Sequence, residues 1–213
     1  MEKLDLKKSL KPYYQPSAKT PEIIQVPRFQ FAMLDGDIEP GVLPGNSPAF
    51  QEAVAALYGI AYTLKFMVKL RKDDPIDYPV MALEGLWWVE DGKFDLRVAD
   101  NWKWTVMILQ PEVVTAEIFA EGLAQLRKKR GDQPAFARLR LDGFEEGLCV
   151  QMMHIGPYAT EPANVDRMHA FAVQQGYHAQ LGSGGKHHEI YMSDPRKAAP
   201  EKMKTVLRHP IER

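Results

Sequence analysis

Hydrophobic and polar positions along this chain fall into two periods that alternate with each other. Residues 29–35 read as a strand of period two, closed by Asp35-Gly36-Asp37, and a Gly/Pro loop follows. From Pro48 to about Leu70 the period changes to three and four, with Phe50, Val54, Leu57, Ala61, Leu64 and Val68 on one stripe. Ser47 is placed to cap that helix, with Pro48 at its first position. Two further strands are predicted at 80–90 and 102–109, joined by Asp91-Gly92-Lys93 and an irregular segment. A second helix over 111–129 is capped by Thr115 or entered through Pro111, and it closes in Arg127-Lys128-Lys129-Arg130-Gly131.

The second half repeats this order. A strand over 147–155 ends at Gly156-Pro157-Tyr158, and Thr160, Glu161 and Pro162 open a helix that runs through Val165, Met168, Phe171 and Ala172 to Gly176. After the Gly182-Ser183-Gly184-Gly185 loop comes a strand from Lys186, stopped by Asp194-Pro195, and then a last strand over 204–209, ended by Pro210. Gly36 with Gly156, Pro48 with Pro162, Glu84 with Glu189 and Pro111 with Pro210 are matching landmarks at steadily shortening offsets. The predicted fold class is α+β: duplicated strand-helix-strand-strand units packed with pseudo-twofold symmetry, with a groove between halves for a ligand. The division is an extended, proline-broken arm at 1–28, anchored by Tyr13, Tyr14, Ile23 and Ile24, and a domain at 29–213. Within it lie repeat one (29–110), a linker helix region (111–146) and repeat two (147–213).

Composition narrows the function classes. A net charge of −1 offers no general attraction to nucleic acid or anionic membrane, and the basic run at 127–130 complements a helix carbonyl end. The single cysteine, Cys149, excludes an internal disulfide and a cysteine metal cluster, and its apolar neighbours make it a buried hydrophobe. The charged amino terminus lacks the apolar core of a signal peptide, and no segment reaches ~18 uninterrupted apolar residues. The expected compartment is the cytoplasm; nothing in the sequence fixes an oligomeric state.

Candidate chemistry centres on the strand that carries His187, His188, Glu189, Ile190 and Tyr191. Alternation puts Glu189 and Tyr191 on one face and His188 and Ile190 on the other. A carboxylate beside a phenol in an apolar pocket suits a cation or proton chemistry, whereas on an edge strand it is only a solvated charge. Four tryptophans, Trp87, Trp88, Trp102 and Trp104, are either walls of such a pocket or a structural aromatic cluster. The duplication gives Glu84 the place of Glu189 in the first copy. Six histidines show no ligand spacing, and adjacent His187 and His188 point apart, so no metal is expected. No phosphate loop joins a strand to a helix, and no cofactor is expected.

The duplicated unit resembles the stand-alone GyrI-like small-molecule-binding proteins nearly end to end. The resemblance is carried by Met33-Leu34-Asp35-Gly36, the helix around Leu57-Tyr58-Gly59-Ile60-Ala61-Tyr62, Glu84-Gly85-Leu86-Trp87-Trp88, the strand 188–195 and Lys204-Thr205-Val206-Leu207-Arg208. It implies the fold of BmrR-type effector-binding domains, in which an aromatic groove takes flat or cationic hydrophobic molecules against a buried glutamate. Unlike those regulators, the chain has no helix-turn-helix ahead of the domain. The resemblance further implies two functions: hydrolysis of cyclopropanoid DNA-alkylating agents, or sequestration of drugs or inhibition of a partner protein. Under the first, Glu189 is the general base and Tyr191 or Tyr158 the proton donor. Glu84, Trp87, Trp88, Trp102, Trp104, Tyr62, Met152 and His154 are the expected ligand-binding residues.

Overall fold

The computed structural model describes residues 1–92, 94–97, 101–181 and 184–213. Lys93 of the predicted turn and Gly182 and Ser183 of the glycine loop lie outside them. In chain order the elements are β1 (Glu2–Lys3), α1 (Leu6–Ser9), α2 (Lys11–Tyr14), β2 (Glu22–Val26), β3 (Phe29–Asp37), α3 (Pro48–Leu70), β4 (Ile76–Asp77) and β5 (Leu83–Trp88). They continue with β6 (Lys103–Leu109), α4 (Ala116–Arg130), α5 (Pro134–Arg138), β7 (Arg140–Phe144), β8 (Gly147–Ile155), α6 (Glu161–Gln174), β9 (His178–Ala179), β10 (His187–Tyr191) and β11 (Lys204–Glu212).

The main helices start where their caps dictate. Ser47 Oγ accepts from the Phe50 N–H at 3.1 Å, and Thr115 Oγ1 from the Ile118 N–H at 3.3 Å, each satisfying a donor that the first turn leaves free. α4 therefore begins at its threonine cap and not at Pro111. β11 runs on through Pro210, where the sequence places its end. By then β10 has ended, so no partner on that side needs the missing N–H, and the Pro210 carbonyl accepts from Gln180 N.

All pairs in the large sheet are antiparallel, in the order β2-β8-β11-β10-β5-β6-β3-β7, with β9 added to the end of β11. The units β3-α3-β5-β6 and β8-α6-β10-β11 occupy opposite halves of it, each with its third strand between its first and second. Their second strands, β5 and β10, meet in the middle. Each unit is preceded by a strand that crosses to the other: β2 pairs with β8, and β7 with β3. Both crossing strands lie in stretches that the sequence reads as arm and linker.

Directly paired residues share a face, so rows of side chains can be followed across the sheet. One row runs Leu34, Val106, Gly85, Glu189, Leu207, Met152; the next runs Gly36, Trp104, Trp87, His187, His209, Val150. α3 covers this face at the β3 and β6 end, with Phe50 against Trp104. α6 covers it at the β8 end, where Val165, Met168 and Ala172 pack on Val150, Met152 and Leu207. α3 has the length and mean hydropathy of a membrane span, yet Ala53, Ala56, Leu57, Ile60, Ala61, Leu64 and Val68 are committed to the core. Between the bodies of the two helices lie β5 and β10, reached by the first turn of each: Phe50 of α3 packs 5.3 Å from Trp87, and Glu161 of α6 meets Glu189. The opposite face is crossed by the amino-terminal arm.

Candidate functional site

Glu189 and Tyr191 stand on the floor of this gap. The residue paired with Glu189 on β5 is Gly85, and a Cβ there would fall 2.9 Å from Trp87 Nε1 and 3.0 Å from the Tyr191 hydroxyl. Glycine thus leaves room for a side-chain bond, since Trp87 Nε1–H donates to the Tyr191 oxygen at 3.1 Å. Tyr191 in turn donates to Glu189, and His187 Nε2 is hydrogen-bonded to the same carboxyl at 2.8 Å. Burial works against ionising Glu189, but the His187 and Tyr191 hydrogen bonds outweigh it and hold the group below the usual carboxylate range.

The first residue of α6, Glu161, brings a second buried carboxyl against the first. It meets the Thr205 hydroxyl and Glu189, and among the described residues its Oε1 has no partner. Burial and the neighbouring Glu189 charge push its pKa far above the usual range, so it carries a proton at neutral pH. Its place at a helix N-terminus pulls the other way by only about 0.3–1 kcal/mol, against several for a buried ion. Donor count decides which carboxyl is ionised, because Glu189 collects His187 and Tyr191 while Glu161 has Thr205 alone. The result is a carboxylate and a carboxylic acid side by side.

Around the pair are aromatic rings and further imidazoles. Phe94 stacks on His187 with centroids 5.5 Å apart and planes 18° apart, and Trp102 packs against Trp87 at 5.8 Å. Behind His187, His209 and then His169 continue the hydrogen bonding. Tyr158, 40% exposed, stands edge-on to Tyr191 with centroids 6.0 Å apart, at the solvent side of the pair. Burial, with Glu189 and Glu161 nearby, pushes its pKa up to about 12, so it keeps its proton.

Of the residues expected to bind ligand, Trp87 and Trp102 are at this site, and the others are elsewhere. Trp104 is fully buried: its ring fills the space over Gly36, where a Cβ would be 2.1 Å away. Trp88 is on the opposite face, with Lys186 Nζ 3.5 Å from its ring centroid. Met152 packs in the core under α6. His154 is buried at the base of α6, where Nδ1 meets Asn164 Nδ2 at 2.8 Å. Tyr62, exposed on α3, lines a shallow groove of about 740 Å³ between α3 and α4 that contains no buried titratable group.

Glu84 is not the counterpart of Glu189. Glu84 pairs with Ile190 while Glu189 pairs with Gly85, and successive residues of a strand face opposite ways, so the two carboxyls lie on opposite faces of the sheet. Glu84 sits under the arm, accepting from Tyr14 Oη at 2.5 Å and meeting His188 Nε2 at 3.0 Å. His188 Nδ1 meets Glu146 at 2.9 Å, and Arg208 reaches Glu146 at 3.3 Å and the Tyr13 carbonyl at 2.5 Å. Burial opposes a charge on His188, but Glu146 and Glu84 hold its pKa up at about 9. This second network ties the arm to the sheet. His187 and His188 do point apart, as alternation requires, and each serves a different face.

Glu161, His187 and Glu189 offer three donor atoms within 4.8 Å of one another. Both nitrogens of His187 are already engaged, one with Glu189 and one with His209, so a cation would first have to break that chain. Glu161 escaped the sequence reading because it looks like an ordinary helix opener. The one available signal was its place next to Thr160 and Pro162, which fixes it at the start of α6 where that helix meets the sheet.

The sequence profile of the GyrI-like small molecule binding domain matches residues 19–212. An uncharacterized conserved protein from Listeria innocua is 46% identical, with 98% of this chain and 100% of that one covered and a TM-score of 0.87. A hydrolase from Listeria innocua is 45% identical over 99% of this chain and 100% of its own, with a TM-score of 0.84. The C-terminal domain of EcmrR shares the fold at 9% identity, over 91% of this chain and 98% of that one, with a TM-score of 0.53. Among curated proteins none matches the chain.

Proposed function

Because the chain belongs to the GyrI-like small-molecule-binding family, we propose that its carboxyl pair adds water to a small, flat, hydrophobic electrophile of the cyclopropanoid, DNA-alkylating type. The observation that carries this reading is the opposed protonation of Glu189 and Glu161 in one buried site, a base beside an acid. The 45% identity to a hydrolase supports it.

Glu189 accepts a proton from water as the water oxygen bonds to a ring carbon and the strained carbon–carbon bond breaks. The released electron pair moves to the substrate's carbonyl oxygen, which takes the proton of Glu161. The proton now on Glu189 passes to Glu161 and restores the pair. Tyr191, which donates to Glu189 and accepts from Trp87, positions the base and has no spare proton for the substrate. The role of donor therefore falls to Glu161 rather than to Tyr191. Tyr158 covers the mouth, and Trp87 and Trp102 wall the floor. Cys149 is buried and unpaired, in keeping with action in the cytoplasm.

Incubation of the protein with a cyclopropanoid alkylator should give many equivalents of the water adduct by mass spectrometry. A protein that only sequesters gives none. The family's small-molecule-binding description favours that second reading, and a flat cationic dye separates the two roles of the site. Its affinity should fall in Glu189→Gln more than that of a neutral dye of the same shape.

A further inference from the structure

The row of imidazoles behind Glu189 has a direction. His187 Nε2 faces Glu189 at 2.8 Å, His187 Nδ1 faces His209 Nε2 at 2.6 Å, and His209 Nδ1 faces His169 Nε2 at 2.7 Å. A neutral imidazole has one N–H and one lone pair, and each of these contacts needs one of each. A doubly protonated His187 would donate to Glu189 and His209 alike and would owe nothing to His209; with one proton on each ring, two arrangements satisfy these contacts. In one, each ring is protonated at Nε2, every N–H points toward Glu189, and Glu189 accepts, the bond that favours its ionised form. In the other, each ring is protonated at Nδ1, every N–H points toward His169, and Glu189 must carry the proton itself. Glu161 would then be the ionised member, with only Thr205 to support its charge.

Burial, with His187 and His169 beside it, pushes His209 well below the ordinary histidine value, so the middle ring is neutral. His187 and His209 are fully buried, from neighbouring strands, while His169 reaches them from α6 and is half-buried. Neither His209 nor His169 is placed to touch a substrate on the floor of the gap, since His187 stands between them and Glu189.

We infer that His209, held by His169, is a positioning residue that fixes His187 as a donor to Glu189 and so leaves the single proton of the pair on Glu161. This assigns the base and the acid, and it rests on the acid–base reading of the pair. The same logic makes a wrong tautomer costly in other hydrolytic sites that orient a histidine through a third group.

The test uses the full-length, ¹⁵N-labelled protein, with the tautomer of His187 read from two- and three-bond nitrogen–proton couplings without substrate. His209→Gln keeps an N–H near the place of Nε2, whereas His209→Leu removes it. Wild type and His209→Gln should show His187 protonated at Nε2. His209→Leu should lose that preference, with kcat down by roughly tenfold or more and KM within about twofold. His169→Leu, at a less buried position, should shift both readouts the same way by less, and it replaces His209→Leu if that variant does not fold. His187 protonated at Nδ1, or at both nitrogens, in wild type overturns the inference, as does an unchanged tautomer in the leucine variants. If the wild type hydrolyses nothing, the proposed reaction fails, and the tautomers alone decide this inference.

Discussion

Glu161→Gln should make the protein more stable, and increasingly so as pH rises. A carboxyl whose folded pKa is raised binds its proton in the folded state and loses it on unfolding, so its contribution to stability declines with pH. The decline begins near 4.5, the unfolded value, and ends only at the folded value near 10. Within that window each pH unit costs about 1.4 kcal/mol, which at pH 7 amounts to about 3 kcal/mol. Glutamine has nearly the same shape, donates to Glu189 as the protonated acid does, and carries no such cost. Other groups that titrate in this range, His188 and His209 among them, are common to both proteins and cancel in the difference. Urea unfolding followed by tryptophan fluorescence from pH 5 to 9 measures it. The variant should be more stable by about 3 kcal/mol at pH 7, and the gap should widen by about 1.4 kcal/mol per unit. A difference that stays flat from pH 5 to 9 would refute the protonated acid and with it the assignment of roles in the pair.

Two further outcomes follow from the network under the arm and from the floor of the site. His188, raised from 6.5 to about 9, adds stability that is complete below pH 6.5 and lost as pH rises through 9, a loss of roughly 3 kcal/mol. Between pH 6 and pH 9.5 wild type should lose roughly 3 kcal/mol more in thermal melts than His188→Gln, the decline from Glu161 being common to both; equal losses would remove His188 from that role. Gly85→Ala should push a methyl into the Trp87–Tyr191 bond and cost about 1–3 kcal/mol, with a larger fall in kcat than in substrate affinity. Unchanged turnover in a folded Gly85→Ala protein would show that this bond does not hold the base.

Much of the fold was readable because period and caps agree. The stripe from Phe50 to Val68 with Ser47 before it fixes α3, and the alternation through Glu189 and Tyr191 fixes the face that carries the chemistry. What could not be read depends on contacts far apart in sequence. β2 and β7 each pair with the unit they do not precede, and nothing local in Glu22–Val26 or Arg140–Phe144 reveals that exchange. Glu84 was matched to Glu189 by landmark order, but the register of β5 against β10 pairs it with Ile190 and so turns it to the other face. Glu161 and His209 became site residues only when α6 and β11 were laid beside β10. Trp104 illustrates the opposite case, an aromatic ring whose fate was decided by a glycine far off in sequence but paired with it on the neighbouring strand, Gly36.

The central claim is that Glu189 is a base and not merely a buried charge. The most direct measurement is steady-state hydrolysis of a cyclopropanoid alkylator by wild type and Glu189→Gln, with binding of an unreactive analogue measured on the same preparations. Wild type should complete many turnovers, kcat should fall by ~100-fold or more in the variant, and analogue affinity should change little. Turnover by Glu189→Gln equal to that of wild type would contradict the claim.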